Sequence, residues 1–346
     1  MRFDLSEDQS LLREATRDFL ATESPIDVSR KISDTVEEGF SREHWSKLAE
    51  LGYLGLLAPE SAGGQGLGPI ELAVVCEEMG RVGFPGPYLD VVLAAKMLEA
   101  AGRMDVVEEI VSGSAIVVLA SCDRVWPTDT SAVRYADGRV AGTKYFVPFG
   151  AVADRLLVTT DAGVVLADGP FETRPMETID EGQRFAEVTL DHAAELLGGE
   201  EIVDCVADLD RVATAAMALG VAERALEIAV AYSKERETFG RPIGSYQALQ
   251  HRMADMLLGA ESSRSTVYRA AWALAHDQEN APLLCASAKA AAAAAATHNT
   301  RESLQMHGGN GFTWEYDIHY YLKRAVTLET RCGGREAAYE DALSAL

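Results

Sequence analysis

Residues 232–247 read YSKERETFGRPIGSYQ, and this stretch decides how the C-terminal half of the chain is interpreted. The apolar spacing around it predicts a helix that ends near Gly240, followed by a turn and a new helix. Arg236 and Arg241 bracket this corner. Two cations beside exposed backbone N–H groups suit a pyrophosphate, but basic residues at a helix end also complement its dipole. Both interpretations remain open on these residues alone.

A second informative segment, residues 304–313, reads LQMHGGNGFT. Its Gly-Gly-x-Gly turn lets the backbone approach a flat or phosphorylated ligand closely. Gln305 precedes the turn and is able to hydrogen-bond a cofactor. The same residues also suit an ordinary helix C-cap.

The hydrophobic pattern divides the chain into three zones. Residues 1–110 and 201–346 have helical periodicity, whereas residues 111–200 contain short β-branched runs separated by turn signals such as Asp137-Gly138. The pattern predicts an α+β, mainly α protein. It would have an N-terminal helical domain (1–110), a small antiparallel, barrel-like β domain (111–200) and a C-terminal four-helix bundle (201–346).

Composition narrows the classes of partner. The 346 residues include 31 Lys+Arg and 54 Asp+Glu, a net charge of −23, which argues against nucleic acid or an anionic membrane as a partner. Five widely spaced cysteines without a CxxC pair argue against a metal site or a disulfide framework and favour a cytoplasmic protein. No uncharged apolar run reaches the roughly 20 residues of a membrane span.

Together, the two segments and the domain order resemble the acyl-CoA dehydrogenase family. The shared pattern is a helix ending in ERxxFG, then a Gln-containing helix, then QxxGGxG. Weaker matches at residues 51–55 (LGYLG) and 142–147 (GTKYFV) extend the resemblance to nearly the full length. It implies an acyl-CoA dehydrogenase-like fold with FAD bound between the β domain and the C-terminal helices, where a neighbouring subunit completes the site.

The resemblance also implies two groups of cofactor-binding residues. The first would contact the FAD of a neighbouring subunit and comprises Arg236, Thr238, Phe239 and, for a second flavin contact, Gln247. The second would reach the adenosine-diphosphate half and comprises Gln305, Gly308 and Gly309. Two departures lie in the β domain: residues 120–127 lack the family's T-E-P-x-A-G-S-D loop, and Pro148 replaces a Thr hydroxyl expected near the flavin.

The implied reaction is α,β-dehydrogenation of an acyl-CoA thioester, in which a base removes the α-proton and a hydride passes to flavin N5. In the commonest branch of the family the base is a Glu near the C-terminus, a position occupied here by Cys332, with Glu329 three residues earlier. A second branch places an acid-Arg pair on the first helix of the C-terminal domain, with a Gly nine residues after the Arg. Here that pattern is Asp210-Arg211 with Gly220.

Asp210 is therefore the candidate base, and Arg211 is a candidate substrate contact on the CoA side. The alternative for Asp210 is a solvated acid near a helix N-terminus. A carboxylate acquires the proton affinity of a base only if its surroundings are dry.

Three functions follow from the resemblance. The first is an FAD-dependent acyl-CoA dehydrogenase, similar to the small subunits of actinobacterial heteromeric enzymes of steroid catabolism. It would work as a homo-oligomer or as a heterotetramer with a paralogous subunit, and pass electrons to an electron-accepting flavoprotein or another acceptor. The second is a non-catalytic partner subunit that completes the flavin site of such a paralogue. The third is a related flavin oxidase resembling nitroalkane oxidases, whose Asp base corresponds to Cys332.

Overall fold

The computed structural model of the chain describes residues 4–123 and 133–344. Its helices are α1 (Glu7–Glu23), α2 (Ile26–Thr35), α3 (Arg42–Glu50), α4 (Pro69–Arg81), α5 (Tyr88–Ala100), α6 (Met104–Val111), α7 (Glu201–Asp204), α8 (Ala207–Glu235), α9 (Gln247–Ala275), α10 (Ala281–His307), α11 (Ile318–Thr330) and α12 (Gly334–Ser344). Its strands are β1 (Val117–Ala120), β2 (Arg134–Ala136), β3 (Arg139–Pro148), β4 (Arg155–Thr160), β5 (Gly163–Asp168), β6 (Glu172–Met176), β7 (Phe185–Gly198), β8 (Glu237–Thr238) and β9 (Arg241–Pro242). This order confirms a mainly helical α+β protein with strands in its middle.

Contacts divide the chain into two compact units. A helical unit contains Met1–Arg30, Pro69–Phe84 and Asp208–Leu346, and a sheet-containing unit contains Lys31–Gly68 and Pro85–Ala207. Each unit therefore combines segments that are distant in the sequence. The division into domains 1–110, 111–200 and 201–346 stays a prediction.

The sheet-containing unit is built on a sheet of strand order β1-β4-β5-β7-β3-β2, with β6 paired to β7. Its neighbouring strands are antiparallel apart from β1 and β4, which are parallel. The antiparallel prediction is wrong for that one pair. Strands β2 and β3 lie between β1 and β4 in the sequence, and the chain then enters β4 in the same direction as β1. The turn at Asp137-Gly138 is confirmed: both residues have positive φ (51° and 74°), as the type I′ turn of a two-residue hairpin requires.

The helical unit has its core where α8, α9 and α10 meet. Ala229, Met256 and Met306 are buried together at that junction. The buried side chain of Asn299 on α10 donates hydrogen bonds to the carbonyl oxygens of Ala222 and Met256, both at 3.0 Å. Because each of these carbonyls lies on a different helix, one amide fixes the register of three helices.

Two glycines allow α4 and α8 to cross in very close contact. A Cβ atom on Gly220 would lie 2.0 Å from the carbonyl oxygen of Glu77, and one on Gly80 would lie 2.1 Å from that of Met217. Both obstacles are backbone atoms of a helix, which do not move aside as a flexible side chain would. Gly220, part of the pattern that singled out Asp210, therefore has a packing role of its own.

We expect Gly220→Ala to lower the free energy of unfolding by about 1–3 kcal/mol, because the added methyl group has no space at the helix crossing. Urea denaturation measures this change. Gly259→Ala on α9 is the matched control, because its Cβ would lie 3.6 Å from the Ala295 methyl group, an ordinary contact. The control should raise the free energy of unfolding by up to about 1 kcal/mol through helix propensity. Equal effects of the two substitutions would contradict the packing role.

Candidate active site

Asp210 lies in the first turn of α8, and its carboxylate is held by two neighbours. Arg331 Nε donates to Asp210 Oδ1 at 2.8 Å, and Thr214 Oγ1 donates to the same oxygen at 3.0 Å. The Asp210 side chain is 24% exposed. It is therefore an oriented, partly buried carboxylate.

The corner between α11 and α12 brings Cys332 to this carboxylate. Cys332, Gly333 and Gly334 all have positive φ (56°, 81° and 85°), which reverses the chain and turns Cys332 towards α8. Burial raises the pKa of the Cys332 thiol to about 12, and the charge of the adjacent Asp210 adds to the rise. The thiol is therefore protonated at neutral pH and unsuited to act as the base.

Glu329, the other acid of this corner, has partners of its own. Its Oε2 accepts a hydrogen bond from Thr297 Oγ1 at 2.7 Å, and its Oε1 lies 3.4 Å from Arg335. Its carbonyl oxygen, in the last turn of α11, accepts from Lys289 Nζ at 3.1 Å. The fully buried Lys289 thus donates at the carbonyl end of α11, and burial lowers the pKa of its ammonium group.

Arg211, the predicted contact on the CoA side, forms two ion pairs. It donates to Asp208 at 2.8 Å and to Asp341 at 2.7 Å, and so joins the start of α8 to α12. The guanidinium is partly exposed, with 23% of the side chain accessible. A substrate contact at Arg211 would compete with these carboxylates.

The predicted corner at residues 232–247 contains a small hairpin. Helix α8 ends at Glu235 rather than near Gly240, and β8 and β9 pair across a tight turn at Phe239 and Gly240. Both turn residues have positive φ, and the Phe239 side chain is 96% exposed. The carbonyl of Thr238 accepts a hydrogen bond from Tyr246 at 3.1 Å. The remaining predicted cofactor side chains of this corner, Arg236 and Gln247, are exposed.

The glycine turn follows α10 directly. Gly308 has φ 60° and ψ −138°, a conformation that favours glycine. Cβ atoms on Gly308 and Gly309 would meet nothing within 4 Å, and Gln305 is exposed. Asn310 Nδ2 donates to the Tyr232 hydroxyl at 3.3 Å. The two predicted cofactor segments of one chain therefore lie next to each other.

The departures predicted in the β domain lie in the sheet-containing unit. Pro148 ends β3, paired with Phe185 of β7, and offers no hydroxyl. The fully buried Lys144 of β3 forms an ion pair with Asp123 and donates to Thr159 Oγ1 at 2.8 Å, which holds the start of the segment 120–127. Residues 124–127 of that segment lie outside the described residues.

Sequence profiles show the family of the chain. The profile of the acyl-CoA dehydrogenase N-terminal domain matches residues 6–115, and that of the C-terminal domain matches residues 197–341. The chain belongs to the acyl-CoA dehydrogenase family. The enzyme IpdE2 of Mycolicibacterium smegmatis, an acyl-CoA dehydrogenase, is 34% identical over 324 residues, which cover 93% of each chain.

Two solved structures have the same fold. One is the ChsE4-ChsE5 complex of Mycobacterium tuberculosis, 29% identical with a TM-score of 0.89 over 98% of this chain and 97% of that one. The other is a variant of the Tcur3481-Tcur3483 steroid ACAD, 29% identical with a TM-score of 0.88 over the same shares. The second supports the predicted resemblance to steroid-type members of the family.

This acyl-CoA dehydrogenase has an open surface at its C-terminal glycine turn. A ligand is able to approach the backbone closely at Gly308 and Gly309, above which the structure is open, and the side chains of Arg236 and Gln305 are exposed. A cation and an amide are groups of the kind that bind a pyrophosphate. Within residues 4–123 and 133–344, no cluster of three or more His, Cys, Asp or Glu side chains is arranged to hold a metal ion. Every helix in those ranges is too short or too polar to span a lipid bilayer.

Some residues of the candidate site were missed in the sequence. Thr214 lies one helical turn after Asp210, a spacing that places both side chains on one face of α8. Arg331 adjoins Cys332, but its contact with Asp210 joins residues 121 positions apart. Lys289 is visible only as a charge interrupting an alanine-rich run. The helical spacing would have identified Thr214, whereas the other two depend on tertiary packing.

Proposed function

We propose that the chain catalyses FAD-dependent α,β-dehydrogenation of an acyl-CoA thioester, with Asp210 as the base. The observation that carries this proposal is the contact between Asp210 and Cys332. These are the two positions at which the branches of the family carry their base, and here only one of them is a carboxylate. A site with an oriented carboxylate at one position and a protonated thiol at the other has one candidate base.

Two of the contacts of Asp210 involve the same oxygen. Arg331 and Thr214 both donate to Oδ1, and the proposal is that Oδ2 receives the α-proton of the substrate. Bound FAD would supply the hydride acceptor at flavin N5. The Cys332 thiol does not compete for the α-proton, because it already carries its own. The Glu329 carboxylate is less suited to this role, since Thr297 and Arg335 engage its two oxygens.

For the substrate we propose a bulky CoA thioester of the steroid type. Support comes from the likeness to the Tcur3481-Tcur3483 steroid ACAD. The likeness to the ChsE4-ChsE5 complex supports assembly with a paralogous subunit, with a homo-oligomer as the alternative. Electrons from the reduced flavin would then pass to an electron-accepting flavoprotein or another acceptor.

A second candidate function is a non-catalytic subunit that completes the flavin site of a paralogue. The ion pair between Arg331 and Asp210 favours it, because this carboxylate makes a structural contact between α8 and the α11–α12 corner. The missing hydroxyl at Pro148 favours it as well. A flavin oxidase with its base at position 332 receives no support, because a protonated thiol occupies that position.

Flavin content and reactivity distinguish the two candidates. The experiment measures flavin absorbance per chain for the protein purified alone and after addition of a paralogous subunit. A steroid acyl-CoA is then added under anaerobic conditions. We expect full flavin occupancy of the chain alone. We also expect the absorbance of the oxidised flavin to disappear as the substrate reduces it. Flavin that appears only with the paralogue, and whose reduction is insensitive to Asp210→Asn, would instead establish the non-catalytic subunit.

A further inference from the structure

We propose that Tyr232 and His307 are positioning residues, which hold the two cofactor-binding segments of the chain in a fixed arrangement. The proposal rests on the proposed function in taking FAD as the ligand. It concerns residues that make no predicted contact with the cofactor but lie next to residues that do.

The two side chains form an aromatic cluster with Tyr316. The rings of Tyr232 and His307 are stacked, with centroids 3.9 Å apart and planes inclined by 21°. The Tyr316 ring meets both edge-on, at 5.7 Å from Tyr232 and 5.4 Å from His307. The cluster therefore joins the end of α8, the end of α10 and the segment that leads to α11.

Hydrogen bonds orient the members of this cluster. His307 Nδ1 lies 2.7 Å from the carbonyl oxygen of Ser303, and because a carbonyl only accepts, Nδ1 carries the proton. Burial lowers the pKa of His307, which is 4% exposed, so the ring is neutral at neutral pH. The Tyr232 hydroxyl accepts from Asn310 Nδ2 at 3.3 Å, which ties the glycine turn to α8. The ring stack and the hydroxyl thus make two separate connections between the segments.

The predicted cofactor residues depend on these connections for their position. Arg236 follows Tyr232 by one helical turn, and its N–H donates to the Tyr232 carbonyl at 2.9 Å. Gly308 and Gly309 directly follow His307. All three cofactor residues are exposed, and the ends of helices have few restraints of their own. Rings that lock the two helix ends together lower the ordering cost of binding a ligand that bridges them.

The test measures affinity for FAD, and for ADP alone, in the purified oligomer after removal of its flavin, with the paralogue present if flavin retention requires it. We expect His307→Ala to weaken the binding of both ligands about tenfold, through loss of the stack. His307→Phe should recover most of this affinity, because it keeps a planar ring. Tyr232→Phe should cost about threefold, through the lost hydrogen bond to Asn310. Tyr339→Phe on α12, whose side chain is 51% exposed, is the matched control and should bind as the unmodified protein does.

The thermal midpoint of each flavin-free variant separates positioning from a merely structural role. A structural role alone would lower the midpoint and leave the dissociation constants for FAD and ADP unchanged in the folded protein, which would overturn the proposal. If His307→Ala does not fold, the test uses His307→Phe and Tyr232→Phe instead. Wild-type affinity of Tyr232→Phe for FAD and ADP, with a normal thermal midpoint in both variants, would then overturn the positioning role. If the unmodified protein binds neither ligand, the proposed function fails too. If it binds both and the variants equal it, only the positioning role fails.

Discussion

Replacement of Asp210 by Asn is expected to reduce the rate of acyl-CoA dehydrogenation about a hundred- to ten-thousand-fold, the range for loss of a general base. The amide has nearly the shape of the carboxylate and keeps an oxygen that accepts from Arg331 and Thr214. It loses the ability to take up a proton near neutral pH. We therefore expect flavin content and fold to be retained while reduction of the flavin by substrate becomes very slow.

Stopped-flow measurement of flavin absorbance after addition of an acyl-CoA checks this expectation without a dependence on the final electron acceptor. Asp204→Asn is a suitable control, because Asp204 is an exposed acid of the preceding helix α7. A native rate in Asp210→Asn would remove Asp210 from the mechanism and favour the role of a non-catalytic subunit. A slow rate accompanied by loss of flavin would indicate structural damage rather than loss of the base.

Replacement of Arg236 by Ala is expected to weaken FAD retention in the oligomer about tenfold or more, the usual effect of losing a charge-assisted hydrogen bond. Arg236 is exposed at the start of the small hairpin, and the described residues supply no carboxylate within 4.0 Å of it. Its removal should therefore disturb the fold little. The effect should diminish as salt rises, because an exposed contact between a cation and a pyrophosphate is screened.

Flavin released during gel filtration of the dilute oligomer measures this change. Lys234→Ala is the matched control, since Lys234 is an exposed cation in the last turn of the same helix, two residues before Arg236. We expect the control to retain flavin as the unmodified protein does. Equal retention in Arg236→Ala would count against the assigned pyrophosphate contact.

Local sequence patterns accounted for most of the fold. Strands β3, β4 and β5 follow from short β-branched runs separated by turn signals, and helices α9 and α10 follow from helical periodicity. The error at Gly240 also has a local cause. Basic and acidic residues continue the helical pattern beyond Glu235, but Phe239 and Gly240 adopt left-handed backbone and form a hairpin.

The composition of the candidate site was less accessible from sequence. Asp210 was found through a motif, and Cys332 through its place in another, but no local pattern reveals that the two are in contact. Their proximity depends on how α8 packs beside the α11–α12 corner. The ion pair of Asp210 with Arg331 depends on the same packing, so it was absent from the prediction.

Helix α8 runs without interruption from Ala207 to Glu235. At 1.5 Å per residue, Asp210 near its beginning and Arg236 just past its end are roughly 39 Å apart, a separation greater than the length of an extended FAD molecule. Under the proposed roles, one chain cannot apply both residues to the same flavin. Each copy would supply the base of its own active site and the Arg236 cation that binds the FAD of another copy. Loss of Arg236 in one chain would therefore disable catalysis in its neighbour.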